Sequence, residues 1–400
     1  MLHLGMFVYP WDAAENPERF VREYEELGCD MIAVNAVYHQ CSVLAPRAGH
    51  IVERRHAGAS FAIHPETYGR LRPRVEAELT VVYDRLRGLC GRRGIDWRCW
   101  MVNLHNGEIG ERHPDVTVLN AWGDRYSSAL CVNHPDVREY AAALLEDVIQ
   151  TLAPSRVVME TECWLHAFHG RHHEFSLARL TPAAQYLLSL CFCPNCMRAA
   201  QAAGVDAQAA RSVTQALLSR LLRADATFED SGDAQLLQIF LEYPELYAYQ
   251  RFRMRSVNEL VGQTADIAHR HGVLYEYIPS SAPFSINSMH CDASSFRALG
   301  AAADGFVPLC YSPGESYPLI KRNIALFAPD ARVSLALNLG RGRYVGAEDL
   351  AARVAEAVEN GAEDIYCYNY GLATEECLGW MRRAYRLARA KGAARDDPAE

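Results

Sequence analysis

Residues 332–370, RVSLALNLGRGRYVGAEDLAARVAEAVENGAEDIYCYNY, decide how this 400-residue chain folds. The stretch opens on an apolar run, Arg332 to Asn338, of the length and composition of a strand buried on both faces. After a glycine-bearing loop, Ala347 to Asn360 has the periodicity of a helix, and Gly361 stops it as a left-handed C-terminal cap does. A second apolar run, Asp364 to Tyr370, follows. Strand, helix, strand is the repeating unit of a parallel sheet.

Working outward, the same rhythm covers the chain. Six further strands are predicted: Leu4 to Tyr9, Met31 to Val37, Asp96 to Leu104, Arg156 to Glu162, Val273 to Ile278 and Gly305 to Tyr311. Helices follow them, among them Pro17 to Leu27, Pro135 to Leu152 and Thr374 to Ala390. Eight units predict an α/β fold, the (β/α)8 TIM barrel, whose sites lie at the C-terminal ends of the strands. Strands five to eight follow closely on one another, whereas long insertions follow strands two, three and four and are expected to build the pocket. The largest, 163–271, is a Cys- and His-rich helical segment that includes an amphipathic helix from about Pro244 to His271. With no Pro/Ser-rich linker, residues 1–392 read as one catalytic barrel and 393–400 as a disordered polar tail.

Composition narrows the function. Half of the residues are apolar and 22% are charged, an ordinary globular balance. Forty Lys and Arg against forty-nine Asp and Glu give a net charge of -9 with no basic run, which argues against a nucleic-acid partner. The N-terminus lacks a signal-peptide pattern, and no apolar run is long enough for a membrane span, so a cytoplasmic protein with no membrane partner is expected. Thirteen cysteines, an odd number, then read as buried thiols plus a metal cluster. Homo-oligomer formation stays open.

The cluster is CFCPNC, which places Cys191, Cys193 and Cys196 within six residues. Three thiolates so spaced can converge on a tetrahedral zinc, and Cys131 is chosen as the fourth ligand over Cys163 and the nearby histidines. A closed site of four thiolates is structural. It would clamp the long insertion to the loop after strand three. In RVVMETECW (156–164), Glu160 and Glu162 alternate onto one face, with Glu162 at the strand's C-terminal edge; burial beside Trp164 would raise its pKa as a general acid requires.

These residues together carry a family resemblance. CVNHPDVR (131–138), the Glu ending strand four, and C-x-C-x-x-C resemble, in that order, glycoside hydrolase family 42, the zinc-containing β-galactosidases. The resemblance covers mainly residues 100–200. It implies a structural zinc on Cys131, Cys191, Cys193 and Cys196, and Glu162 as acid/base. Thr161 stands where that family has Asn, and Asn338 where it has the nucleophilic Glu of strand seven, so the chain is expected to be a divergent relative.

Glycoside hydrolysis needs a second carboxylate, ~5 to 5.5 Å from the first for retention or ~6.5 to 9.5 Å for inversion. Glu276 is favoured, with Glu315 and Asp12 as alternatives. Strand ends also supply sugar-binding chemistry: Tyr9, Trp11, Asn35, Tyr38, His105, Asn106, Tyr311, Asn338, Tyr368 and Tyr370 offer aromatic faces, amides and imidazoles to a neutral polyol. The loop HAFHGRHHEF brings His166, His169, His172, His173 and Glu174, a polar lid or a metal site without an H-E-x-x-H motif. GRGR at 340–343 lacks the phosphate-loop spacing, no dinucleotide fingerprint is present, and no organic cofactor is expected. The leading expectation is thus a glycosidase acting on a small carbohydrate or glycoside. Its rivals are a metal-dependent sugar isomerase, epimerase or hydrolase using the His-rich loop, and a carbohydrate-binding barrel without catalysis.

Overall fold

The structure, a computed structural model, describes residues 2–48, 51–169, 180–223, 232–279, 291–311, 315–340 and 343–396. Its centre is a curled parallel sheet of ten strands: β1 (His3–Val8), β2 (Met31–Tyr38), β3 (Asp96–Val102), β4 (Arg156–Glu160), β5 (Leu274–Tyr277), β6 (Gly305–Phe306), β7 (Leu309–Cys310), β8 (Arg332–Val333), β9 (Leu335–Asn338) and β10 (Asp364–Tyr368). Neighbours along the sheet run β7, β9, β10, β1, β2, β3, β4, β5, β6, β8, and a short antiparallel piece, Gly58–Ala59, adds to β2. Helices flank the sheet, among them Pro17–Glu26, Ala77–Arg93, Pro135–Leu152, Pro244–Arg270, Ala347–Glu359 and Glu375–Asp396.

The regular barrel of eight unbroken staves is corrected at its sixth and seventh positions. Gly305 to Tyr311 is split into β6 and β7 around Val307 and Pro308, and Arg332 to Asn338 into β8 and β9 at Ser334. Proline has no N–H to give the ladder, so the sheet is interrupted there. The architecture is TIM-barrel-like without being a regular closed (β/α)8 barrel. The last helix reaches Asp396, so the expected tail is helical over 393–396, and 397–400 lie outside the described residues.

Alternation along each strand feeds two cores. Leu4, Met6 and Val8 face the helices, where they join Ile32, Val34, Cys99, Met101, Val157 and Met159. Phe7 and Tyr9 face the other way, packing with Ala33, Trp100, Val102, Val158, Ile278 and Tyr366 on the concave side of the sheet. Deeper on that side lies an ionic lattice. Arg98, fully buried, donates to Asp364 at 3.0 Å and to the Tyr366 hydroxyl at 2.5 Å. Arg156 reaches Glu276 at 2.9 Å and Asp364 at 3.3 Å, and Arg332 also holds Asp364. Residues of β3, β4, β5, β8 and β10 therefore meet across the concave face, which measures how tightly the sheet curls.

The insertions take shape as expected in position. After β2 come a hairpin, Cys41–Leu44 with Val52–Arg55, and Gly58–Ala59; after β3, a helix at Gly107–Arg112 and a hairpin of Thr117–Leu119 with Arg125–Leu130. The insertion after β4 forms helices with a core of their own, including Tyr186, Leu187, Phe192, Leu218 and Leu236. Helix Pro244–Arg270 joins the two bodies: Leu246, Tyr249 and Phe252 pack into the inserted core, while Val257, Leu260, Val261 and Ala265 pack on the sheet.

Candidate active site and metal centres

The end of β4 decides which carboxylate meets solvent. Strand alternation would put Glu160 and Glu162 on one face, but the strand stops at Glu160 and Thr161 takes a φ of 62°. A β-branched residue in left-handed conformation is strained, and here it reverses the direction of the next side chain. Glu162 therefore turns away from the concave face into packed protein. It is fully buried, accepting from Asn103 Nδ2 at 2.6 Å, from Thr264 Oγ1 at 2.8 Å and from the Tyr275 hydroxyl. The expectation that Glu162 lines the pocket is corrected on this geometry.

Glu160 stays on the concave side of the sheet, beside Trp100. Half-buried, it accepts from the Trp100 indole N–H at 2.8 Å. Burial pushes its carboxyl up to about 7, opposed only by that indole. Around it stand Tyr38, Tyr311 and Tyr368, whose phenols are themselves pushed upward, first by burial and also by the charge of this carboxylate, while for Tyr368 the hydroxyls of Tyr38 and Tyr9 oppose the shift. Tyr9, Tyr38 and Tyr368 join their hydroxyls, at 2.9 Å between Tyr9 and Tyr38 and 2.7 Å between Tyr9 and Tyr368. Trp11 stacks on Tyr9 with centroids 4.3 Å apart, and Tyr311 lies 5.7 Å from the Tyr368 ring. Of the expected sugar-binding residues, Tyr311 and Tyr368 thus stand half-buried near this carboxyl group, and Trp11, also half-buried, joins them through Tyr9.

The other expected residues are placed as follows. Glu276 belongs to the ionic lattice, held by Arg156 and by the Tyr366 hydroxyl at 2.9 Å, and is wholly buried. Asn35 is buried and donates to the carbonyl of Val37 at 3.0 Å. Asn106 is consumed as the cap of helix Gly107–Arg112, accepting from Ile109 N at 3.0 Å. Asn338 remains half-buried at the end of β9, where its side-chain oxygen accepts from Gly340 N at 2.7 Å. Asp12 accepts from Tyr9 N at 3.0 Å, and burial pushes its carboxyl up to about 7. Tyr370 bonds to Glu23 at 3.1 Å, beneath the Arg47 guanidinium.

Beside this group, the three insertions enclose a cavity of about 810 Å³. His39 and Ser42 come from the first, His105, Ser127 and Ser128 from the second, and His169 from the third. His39 and His105 stack at 4.1 Å, while His169 meets His105 edge-on at 4.6 Å. Burial lowers the pKa of all three. Tyr38 links the cavity to Glu160, stacking on His39 at 4.1 Å. Of the His-rich loop, His166 and His169 are described; His172, His173 and Glu174 lie outside the described residues. The histidine cluster was not legible as a unit: His39 and His105 each follow a predicted strand, but nothing in the spacing joins them to His169.

The four cysteines do converge. Cys131 Sγ lies 3.4 Å from Cys193, 3.5 Å from Cys196 and 3.9 Å from Cys191, and all four are buried. A tetrahedron with Zn–S bonds of ~2.3 Å has edges of ~3.8 Å, so these separations fit one zinc ion; a disulfide would need ~2.05 Å. Backbone N–H groups of Leu119 and Cys196 point at Cys191 and Cys193, and Asn133 Nδ2 at Cys196, the donors a thiolate cluster requires. Cys131, Cys191, Cys193 and Cys196 form a structural zinc site. Cys163 lies outside this group of four.

No protein-family profile matches the chain, and no curated protein matches it. Solved structures do. α-L-Fucosidase isoenzyme 2 from Paenibacillus thiaminolyticus is similar with a TM-score of 0.57 and 13% identity, over 98% of this chain and 50% of that one. β-Galactosidase from the psychrophilic Marinomonas ef1 gives 0.54 and 12%, over 98% and 60%. The cold-adapted β-galactosidase from Rahnella sp. R3 gives 0.56 and 10%, over 98% and 56%. The chain thus spans between half and three-fifths of the length of these proteins, and at such identities the likeness is one of fold. No described helix is long and apolar enough to cross a membrane.

Proposed function

We propose that this chain is a carbohydrate-active enzyme of the glycoside hydrolase kind, in which Glu160 protonates the leaving oxygen of a glycosidic bond. One observation carries the reading: a carboxyl at the C-terminal end of β4, held protonated up to about 7, amid half-buried aromatic side chains. A general acid must keep its proton near neutrality, and burial with a single opposing donor does that. Trp11, Tyr311 and Tyr368 offer faces for the C–H side of a sugar ring and hydroxyls for its polar edge. The fucosidase and galactosidases with similar folds support a sugar as substrate.

The fold reading belongs here too. β6 and β7 are parts of one chain segment, as are β8 and β9, so the two ends of the strand path are halves of the same two staves. This supports a (β/α)8 ring with interrupted sixth and seventh staves, and residues 1–392 as one catalytic unit.

The test is a panel of aryl and alkyl glycosides, including α-L-fucosides and β-D-galactosides, with wild type and Glu160→Gln. Turnover of alkyl glycosides should fall by about 10²- to 10⁴-fold in the variant, and far less for activated aryl glycosides, whose leaving groups need no proton. Saccharide binding without turnover in wild type, unchanged in Glu160→Gln, would instead establish a binding barrel.

A further inference from the structure

The cavity walls hold a cluster that the glycosidase reading does not use. His39, His105 and His169 come from the loops after β2, β3 and β4, and their ring nitrogens offer one ligand atom each, all within 4.8 Å of one another. His39 Nδ1 meets the carbonyl of Gln40 at 2.7 Å, the outer contact that fixes the tautomer of a metal-ligating imidazole and leaves Nε2 free. His105 is only 5% exposed, yet its Nδ1 has no hydrogen-bond partner among the described residues. An imidazole nitrogen buried without a partner is costly, and a cation on that side removes the cost.

We propose that His39, His105 and His169 bind a second zinc ion, with a water molecule as fourth ligand facing the 810 Å³ cavity. Three imidazoles and an open position are the donor set of a reactive zinc, in contrast to the closed thiolate site. Full coordination requires the three nitrogens to draw together, since ~2.0 to 2.1 Å Zn–N bonds place tetrahedral neighbours ~3.4 Å apart. A zinc-bound water so placed would act as a Lewis-acid-activated nucleophile or bind a substrate hydroxyl beside Ser127 and Ser128. This inference stands independently of the role given to Glu160.

The experiment is metal loading of the full chain, produced in metal-depleted medium supplemented with either ZnCl2, followed by elemental analysis, or CoCl2, followed by visible absorption. Wild type should take up two ions per chain, one giving thiolate-to-cobalt charge-transfer bands and one giving only the weaker d–d bands of nitrogen and oxygen coordination. His39→Ala and His169→Ala should each lose the second ion and its bands, keep the thiolate bands, and keep the circular dichroism of wild type. Cys193→Ser should do the reverse. Uptake of a single ion by wild type, or a second ion that survives in both histidine variants, overturns the proposal. If His39→Ala misfolds, His169→Ala, on a peripheral loop, decides the matter.

Discussion

Two glutamates one residue apart have opposite fates, and their chemistry follows from where each points. Glu160 lies half-buried on the concave side with one indole donor; Glu162 sits among three donors inside the protein. Both carboxyls are raised to about 7, burial being the largest cause in each. A carboxyl whose folded pKa lies above its unfolded value binds more protons when folded, so its contribution to stability is full below about 4.5 and declines as pH rises to about 7. Glu162→Ala should cost about 3 kcal/mol by leaving buried donors unpaired, measured by urea unfolding, while kcat per folded molecule is unchanged. For Glu160 the readout is the rate: wild-type kcat/KM should fall above about pH 7 as the acid ionises, and that limb should vanish in Glu160→Gln. A limb that persists in the variant would assign the acid elsewhere.

At the scale of elements, the turn after β4 is the pivot. Thr161 holds a conformation that glycine adopts freely, and its buried hydroxyl has no hydrogen-bond partner among the described residues. Relief of strain of about 1 to 3 kcal/mol competes with the added entropy of an unfolded glycine, about 0.5 to 1 kcal/mol. Thr161→Gly should therefore raise the melting temperature modestly, whereas Thr161→Val should give no gain; a loss of stability in the glycine variant would mean that Thr161 is not strained. The helix Pro244–Arg270 is the second pivot, since Thr264 on its sheet-facing half anchors Glu162 while Tyr249 on its other half bonds the Cys191 carbonyl. One helix thus connects the strand that presents Glu160 to the cysteine cluster.

The whole molecule is held by two polar devices at opposite depths. In the concave interior, Asp364 is disfavoured by burial, but Arg98, Arg156 and Arg332 outweigh this and hold its carboxyl below the usual range. Its stabilising effect is present above the unfolded pKa and is lost as pH falls through the folded one. Glu276→Gln should destabilise by about 3 to 5 kcal/mol, because Arg156 keeps its charge and loses a buried partner. The zinc site joins the inserted helices to the loop carrying Cys131. Cys193→Ser or strong chelation should cost about 4 kcal/mol or more and expose the insertion to protease before the sheet unfolds. Simultaneous loss of both would show that insertion and sheet unfold as one unit.

The amino-acid order alone determined the parallel α/β arrangement, because apolar runs alternating with helical periodicity leave few other ways to bury both faces of a strand. Pro135–Leu152 was legible to the residue, its start set by a proline at the first helical position. The zinc ligands were legible too, three from local spacing and the fourth from a motif in an adjoining loop. Tertiary structure decided which acid stays on the concave side of the sheet, since a single left-handed residue overrides strand alternation. It also decided that Glu276 belongs to a lattice of arginines and that His39, from the loop after β2, meets His169, from the loop after β4. Those outcomes depend on curvature and on contacts between residues far apart in the chain, and no local pattern encodes a distance across a curled sheet.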